Sequence, residues 1–228
     1  MRILATGLSG GIGAALQHRL AQRSDVELIA LARKPDHAGA RPFDVTWDIA
    51  RLAAALKDVG QIDALVLLHG ADILSPPLCQ QSYWDRLDVL YQVDVLGSIK
   101  TVKAALEHLA PGGAIVVMGW DHADTGAPGD ASELYATAKA ALVGFAKSLA
   151  TTLLDRASVY VIAPGWVMTR WAQSLSAEQQ EQIRARTRAH RWQTPDEVAA
   201  VIESVLQLPP SALTGQVFYV NHGDVMPS

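Results

Sequence analysis

The chain has 228 residues, of which 50% are hydrophobic and 18% charged, and its formal net charge is −4. That length allows one domain with an ample core, and the composition excludes a disordered chain. The acidic balance gives no basis for a nucleic-acid partner, while the single cysteine, Cys79, rules out an internal disulfide and fits a reducing compartment.

In chain order, Arg2 to Thr6 is a short apolar run that enters a glycine cluster, and helical spacing follows over Ile12 to Leu20. The pattern is strand, tight turn, helix. Met1 to Leu20 has the apolar look of a secretory leader, but Gly7, Gly10, Gly11 and Gly13 break any continuous apolar helix there. No run of about twenty apolar residues occurs, so no membrane span is expected and the default location is cytoplasmic. Val26 to Ala32 reads as a second buried strand and 33–42 as a loop carrying turn residues. Asp48 to Val59 has helical spacing with Asp48 as its cap. Asp63 to Leu68 is a strand that stops at His69-Gly70, and Tyr83 to His108 makes one or two helices. The strand Ala114 to Met118, a long Ala- and Leu-rich helix around Tyr135 and the strand Val159 to Ile162 come next. A polar segment rich in Arg and Gln runs from Ala172 to Gln193, before the helix Pro195 to Leu206 and the strand Gln216 to Val220.

Strands that are apolar throughout and alternate with helices imply a parallel sheet covered on both faces. The expected fold is therefore a single doubly wound α/β domain of Rossmann type, with its ligand site at the carboxyl ends of the strands. The seven histidines lack the spacing of a metal site, so no metal is expected.

Two motifs carry chemistry. The first is Thr6-Gly7-Leu8-Ser9-Gly10-Gly11-Ile12-Gly13, at the junction of the first strand and first helix. Glycines permit the tight turn and let backbone amides approach a pyrophosphate, and the helix start supplies free N–H groups. The second is Tyr135-Ala136-Thr137-Ala138-Lys139, which places a phenol and an ammonium one helical turn apart on one face. An ammonium so placed is expected to stabilise the phenolate and lower a pKa that is ordinarily about 10, giving a group able to exchange a proton with a carbonyl or alcohol. Tyr and Lys at this spacing also occur as a plain amphipathic surface pair.

Taken together, Thr-Gly-x-x-x-Gly-x-Gly and Tyr-x-x-x-Lys resemble the short-chain dehydrogenase/reductase family. Further pieces extend the resemblance along nearly the whole chain: Asp44-Val45, His69-Gly70-Ala71, Pro164-Gly165-Trp166-Val167-Met168-Thr169, Arg191-Trp192 with Thr194 to Ala199, and Thr214-Gly215-Gln216. The resemblance implies a seven-stranded parallel sheet, a nicotinamide cofactor, and a homodimer or homotetramer acting on a small molecule. By the same resemblance Tyr135 would be the general acid/base. Lys139 would hold the nicotinamide ribose and lower the Tyr135 pKa. Gly7, Ser9, Gly11, Ile12 and Gly13 would surround the pyrophosphate, Asp44 and Val45 the adenine, and Val167 and Thr169 the carboxamide. His69 and Gly70 stand where the family has Asn-Ala-Gly or a variant of it.

At the end of the second strand there is no acid, which would bind a ribose 2′-hydroxyl, but Arg33 and Lys34, which suit a 2′-phosphate. NADP(H) is therefore expected over NAD(H), the alternative being that both are solvated loop charges.

The family pattern fails in the catalytic layer. The serine that usually binds the substrate carbonyl is missing. Counting from the strand puts Gly119 or Trp120 in its place, and counting back from Tyr135 puts His122 there; Trp120 is favoured because the loop reads as longer than usual. An indole N–H can donate but not accept. Asp121 and His122 are further candidates for a polar role, or solvated loop residues. The family's asparagine in the preceding helix is replaced by Asp94, which could still accept hydrogen bonds and would pair with Lys139 if near enough. Two functions follow: an NADP(H)-dependent oxidoreductase interconverting a carbonyl and an alcohol, or a catalytically weak NADP(H)-binding protein with a sensing or scaffolding role. The segment 166–193, with Trp166, Trp171, Trp192 and several arginines, resembles the family's mobile substrate lid. Trp166 in this segment, and Trp120 and His122 on the loop after the fifth strand, are the candidate substrate contacts, although Glu178 to Arg188 also reads as a polar surface helix held by Glu–Arg pairs.

Overall fold

The computed structural model describes residues 1–34 and 39–226. A parallel sheet in the order β3-β2-β1-β4-β5-β6-β7 forms its centre, built from β1 (Arg2–Thr6), β2 (Glu27–Ala32), β3 (Arg41–Pro42), β4 (Ile62–Leu67), β5 (Leu109–Met118), β6 (Ala157–Pro164) and β7 (Val217–Val220). The seven-stranded, doubly wound architecture is the one the motifs implied. The chain runs outward from β1 to β3 and then returns to add β4 on the other side of β1. This reversal opens a crevice at the carboxyl ends of β1 and β4, where such folds bind ligands.

Both faces of the sheet are buried, which explains the uninterrupted apolar strands. One face carries Leu4, Leu65, Ile115 and Val159 against α2 (Ile49–Leu56), α4 (Gly97–Ala105) and α5 (Asp130–Leu153). The other carries Ile3, Ala64, Val116 and Tyr160 against α1 (Gly11–Ala21) and α8 (Pro195–Val205). Each leucine fully buried in this way contributes roughly 1.5–3 kcal/mol.

Most element boundaries follow from local chemistry. The Asp48 carboxylate accepts from Arg51 N–H at 2.8 Å and starts α2 as its sequence foretold. Thr194 and Glu197 form a reciprocal capping box with Pro195 in the first turn of α8. Two features were not legible. The loop predicted over 33–42 ends in the two-residue strand β3, whose pairing to β2 is a tertiary event; residues 35–38 lie outside the described part. The stretch 83–108 is two helices, α3 (Tyr83–Leu90) and α4, joined by a widened π-helical turn over Tyr91–Leu96 in which Gly97 N–H bonds Gln92 O, five residues back. Asp94 lies in that turn. Among the described residues no helix is long and apolar enough to cross a membrane.

Candidate active site

The glycine turn leaves the end of β1 and enters α1. Gly7 has φ +74°, a conformation that disfavours any side chain, and a Cβ there would lie 2.4 Å from His69 N and 2.5 Å from Leu68 O. A Cβ on Gly13 would lie 2.2 Å from Gly7 O. The turn is thus bare backbone pressed between β4 and α1. Gly10 begins α1 with no side-chain cap and no acid in the first turn, so its leading N–H groups face outward free of side-chain competition. Ser9 is exposed on this turn, and its carbonyl accepts from Arg170 at 3.2 Å. Thr169 and Pro195 close the other side: a Cβ on Gly11 would sit 3.4 Å from Thr169 Cγ2. Ile12 packs at the edge of the core and Val167 is buried there.

At the end of β4, His69 sits between two hydroxyls, its Nδ1 2.7 Å from Thr6 Oγ1 and its Nε2 3.2 Å from Ser98 Oγ. A neutral imidazole has one donor and one acceptor, so one hydroxyl donates while the other accepts. Burial pushes His69 down to about 4; the Asp94 carboxylate opposes this and the Lys139 ammonium adds to it. His69 is therefore neutral at ordinary pH.

The catalytic layer lies beside it. Lys139, on α5, is 2.8 Å from Asp94 Oδ2, and Asp94 is fully buried. Asp94 Oδ1 accepts from Ala71 N–H at 2.7 Å, and the Tyr135 hydroxyl donates to Ala71 O at 2.9 Å. Gly70 is small at a point where a Cβ would come within 3.3 Å of Asp94 Oδ2. Tyr135 departs from the sequence expectation. Its phenol is raised well above its ordinary value rather than lowered, first by burial, then by the Asp94 and Asp72 carboxylates. The physical reason is that the ring is half-buried against the loop after β4 and faces two carboxylates, one of them Asp94, which also holds the Lys139 ammonium.

Among the candidates for the missing serine, the Trp120 ring lies 6.3 Å from the Tyr135 ring, centroid to centroid. His122 packs at a tilt against Trp120, ring centroids 5.2 Å apart, but turns its Nδ1 to Gly126 O, 3.2 Å away in its own loop. Asp121 is buried and accepts from Asn221 Nδ2 at 3.2 Å; burial raises its carboxyl. Gly119 is enclosed, with a notional Cβ 2.8 Å from Val161.

The adenine-side candidates are spread along the other half of the crevice. Arg33 and Lys34 are exposed where β2 ends. Asp44 accepts from Thr46 N–H and Oγ1 in a local turn, and Val45 packs against Gly97, whose Cβ would lie 2.9 Å from it.

The segment 166–193 contains α6 (Arg170–Ser174) and α7 (Ala177–Arg186). Trp166, Trp171 and Trp192 pack on one another at 6.0–6.5 Å, so Trp166 is engaged with its own kind. Gln193, buried, accepts from Gly165 N–H and bridges to Val167, while Arg191 pairs in two-pronged fashion with Glu197. The helix α7 buries none of its residues and carries the Glu181–Arg184 pair, in line with the polar surface-helix reading.

Sequence reasoning named the main ionisable groups but missed the roles of the Ala71 carbonyl and the Asp72 charge, because the motif His69-Gly70-Ala71 says nothing of what its backbone accepts and Asp72 lies just beyond it. The only available signal was their position directly after His69-Gly70.

The sequence model described as "Enoyl-(Acyl carrier protein) reductase" matches residues 13–224. The chain belongs to the short-chain dehydrogenase/reductase family. Among its relatives in this family is carbonyl reductase family member 4 of Xenopus tropicalis, 30% identical over 233 residues and covering 95% of this chain and 94% of the relative. Another is the 3-oxoacyl-[acyl-carrier-protein] reductase FabG of Salmonella typhimurium, 29% identical over 241 residues with 98% and 96% covered. Among solved structures, a short-chain dehydrogenase from Burkholderia cenocepacia in complex with NADP aligns with TM-score 0.81 at 28% identity, covering 98% and 97%. A short-chain dehydrogenase/reductase from Serratia marcescens aligns at 0.84 and 26% identity, covering 99% and 98%.

Proposed function

We propose that the protein is an NADP(H)-dependent oxidoreductase that interconverts a carbonyl and an alcohol on a small organic substrate. The observation that carries this is the joint placement of Tyr135, Lys139 and Asp94 at the carboxyl edge of the sheet, beside a turn made of bare backbone. The turn suits a dinucleotide because the start of α1 carries no side-chain cap and no acid in its first turn, leaving backbone N–H groups for a pyrophosphate. Gly7, Ser9, Gly11, Ile12 and Gly13 would hold the pyrophosphate, and Arg33 and Lys34 the 2′-phosphate. Asp44, Val45, His69 and Gly70 would flank the adenosine side, Tyr135 and Lys139 the nicotinamide ribose, and Val167 and Thr169 the carboxamide. When bound, the nicotinamide supplies a hydride. Tyr135 then exchanges its hydroxyl proton with the substrate oxygen, and Lys139 and Asp94 fix the charge beneath it. Trp120, His122 and Trp166 are the proposed substrate-side residues. The NADP complex of the Burkholderia relative supports the coenzyme class. A cytoplasmic homodimer or homotetramer completes the reading.

A second reading, a catalytically weak coenzyme-binding protein with a sensing or scaffolding role, is favoured by one observation: the Tyr135 hydroxyl already donates to Ala71 O, with the Trp120 ring 6.3 Å from its own. NADPH oxidation against a panel of ketones, aldehydes and quinones separates the two. Turnover that falls by about 10²–10⁴ in Tyr135→Phe supports the oxidoreductase. Tight NADPH binding without turnover on any substrate supports the second.

A further inference from the structure

Asp94 is fully buried, and both its oxygens are committed to the catalytic layer: Oδ2 lies 2.8 Å from Lys139 Nζ, and Oδ1 accepts from Ala71 N–H at 2.7 Å. The next carbonyl along, Ala71 O, accepts the Tyr135 hydroxyl at 2.9 Å. The π-helical turn over Tyr91–Leu96 is what brings Asp94 to this position, and a Cβ on Gly70 would already crowd its carboxylate. A neutral amide here could make the same contact to Ala71 N–H, but it would leave the Lys139 charge free to act on the phenol. The carboxylate cancels that charge and adds its own negative field beside the ring.

We propose that Asp94 is a positioning residue that keeps Tyr135 in its proton-donating form across the whole neutral and mildly alkaline range, by occupying Lys139 and by fastening the Ala71 segment on which the Tyr135 proton rests. This deepens, and rests on, the oxidoreductase reading. In the reductive direction the substrate carbonyl carbon gains a hydride from NADPH, its oxygen takes the Tyr135 proton as the phenolic O–H bond breaks, and solvent reprotonates the phenolate. The activity then shows no alkaline fall below pH 10, because the proton donor stays loaded.

The other charged or titratable groups around Tyr135 are few. Asp72, on the loop after β4, acts in the same sense as Asp94. His69 is neutral beneath the layer, and His122 stands behind the Trp120 ring. Burial of Tyr135 works in the same direction as the two carboxylates.

The test reads the ionisation of Tyr135 directly and requires no turnover. Tyrosinate absorbance of the full chain is titrated with pH, and the same curve for Tyr135→Phe is subtracted. In the wild type no Tyr135 ionisation is expected below about pH 10, the ordinary tyrosine value; ionisation below that point overturns the proposal even if no other variant folds. In Asp94→Asn the midpoint is expected to fall by about one pH unit or more, a tenfold shift in the proton equilibrium. An unchanged midpoint in a folded Asp94→Asn protein also overturns it. Where a reducible carbonyl is found, Asp94→Asn should gain an alkaline limb in its rate profile that the wild type lacks. The two readings fail separately. A lowered midpoint with no turnover on any carbonyl leaves Asp94 in this role and removes the oxidoreductase reading. Turnover with an unmoved midpoint does the reverse.

Discussion

The glycine turn between β1 and α1 is made of backbone, whereas the layer around Tyr135 joins side chains from the π-helical turn, the β5 loop and α5 to the backbone of Ala71 after β4. The turn works because nothing projects from it: its tolerance is set by hard contacts with Leu68, His69 and Gly7 itself. The layer around Tyr135 is held by charge and hydrogen bonding, so an isosteric exchange there is expected to change its electrostatics while leaving the packing intact. Steric sites are therefore expected to fail by unfolding or by losing ligand, and electrostatic sites by shifting a proton.

The strongest break in the comparison is Gly13→Ala. Its Cβ would sit 2.2 Å from Gly7 O, a backbone atom that cannot swing aside. A loss of about 3 kcal/mol or more in unfolding free energy is expected, together with loss of NADPH binding by calorimetry. Near-native melting with intact binding would show that the turn is looser than the contacts require.

The seam between the two regions is His69, held between Thr6 and Ser98. Its folded pKa, about 4, lies below the ordinary histidine value of about 6.5. The unfolded chain therefore binds the extra proton first. The stability tied to neutral His69 is fully present above about pH 6.5 and is lost as pH falls towards 4, by an amount on the order of 3 kcal/mol. Melting curves across this window should show the loss in the wild type and a smaller one in His69→Asn. Equal losses in both would place the acid sensitivity elsewhere.

Arg33→Ala sharpens the comparison at the end of β2, where the side chain proposed to meet a 2′-phosphate is exposed. NADPH affinity is expected to fall about tenfold or more while NADH affinity stays within about twofold, since only the former carries a 2′-phosphate. Parallel losses would mean that Arg33 does not face that phosphate.

The smallest effect belongs to the ion pair that ties the end of the segment 166–193 to α8. Arg191 and a backbone contact at Thr194 hold the Glu197 carboxyl well below the usual carboxylate range, with the His222 hydrogen bond adding to them. The pair's stabilisation is present above about pH 4 and fades as pH falls further. Both side chains are substantially exposed, at 49% and 35%, so solvent screening limits the gain to about 1 kcal/mol or less. Glu197→Gln should lower the melting temperature by about 2–4 °C at most near neutrality, and by less below pH 3; a difference that grows in acid would contradict the sign.

The sequence alone determined the strand–turn–helix start, the cap Asp48 and the Tyr135–Lys139 spacing, because each depends on residues within a few positions of one another, and the parallel sheet through the alternation of apolar strands with helices. It also named Asp94 and its pairing with Lys139, through resemblance to a family motif. It could not give the direction in which the Tyr135 proton is held. That depends on Ala71 O, on Asp72 and on the depth of burial, which arise only when the loop after β4 folds over α5. Likewise β3, whose existence depends on pairing with β2 across a loop, and the π-helical turn that delivers Asp94 were decided by tertiary contact. Local propensity fixes where an element starts and stops. The balance of charge around a buried proton is a sum over neighbours that only the folded chain brings together.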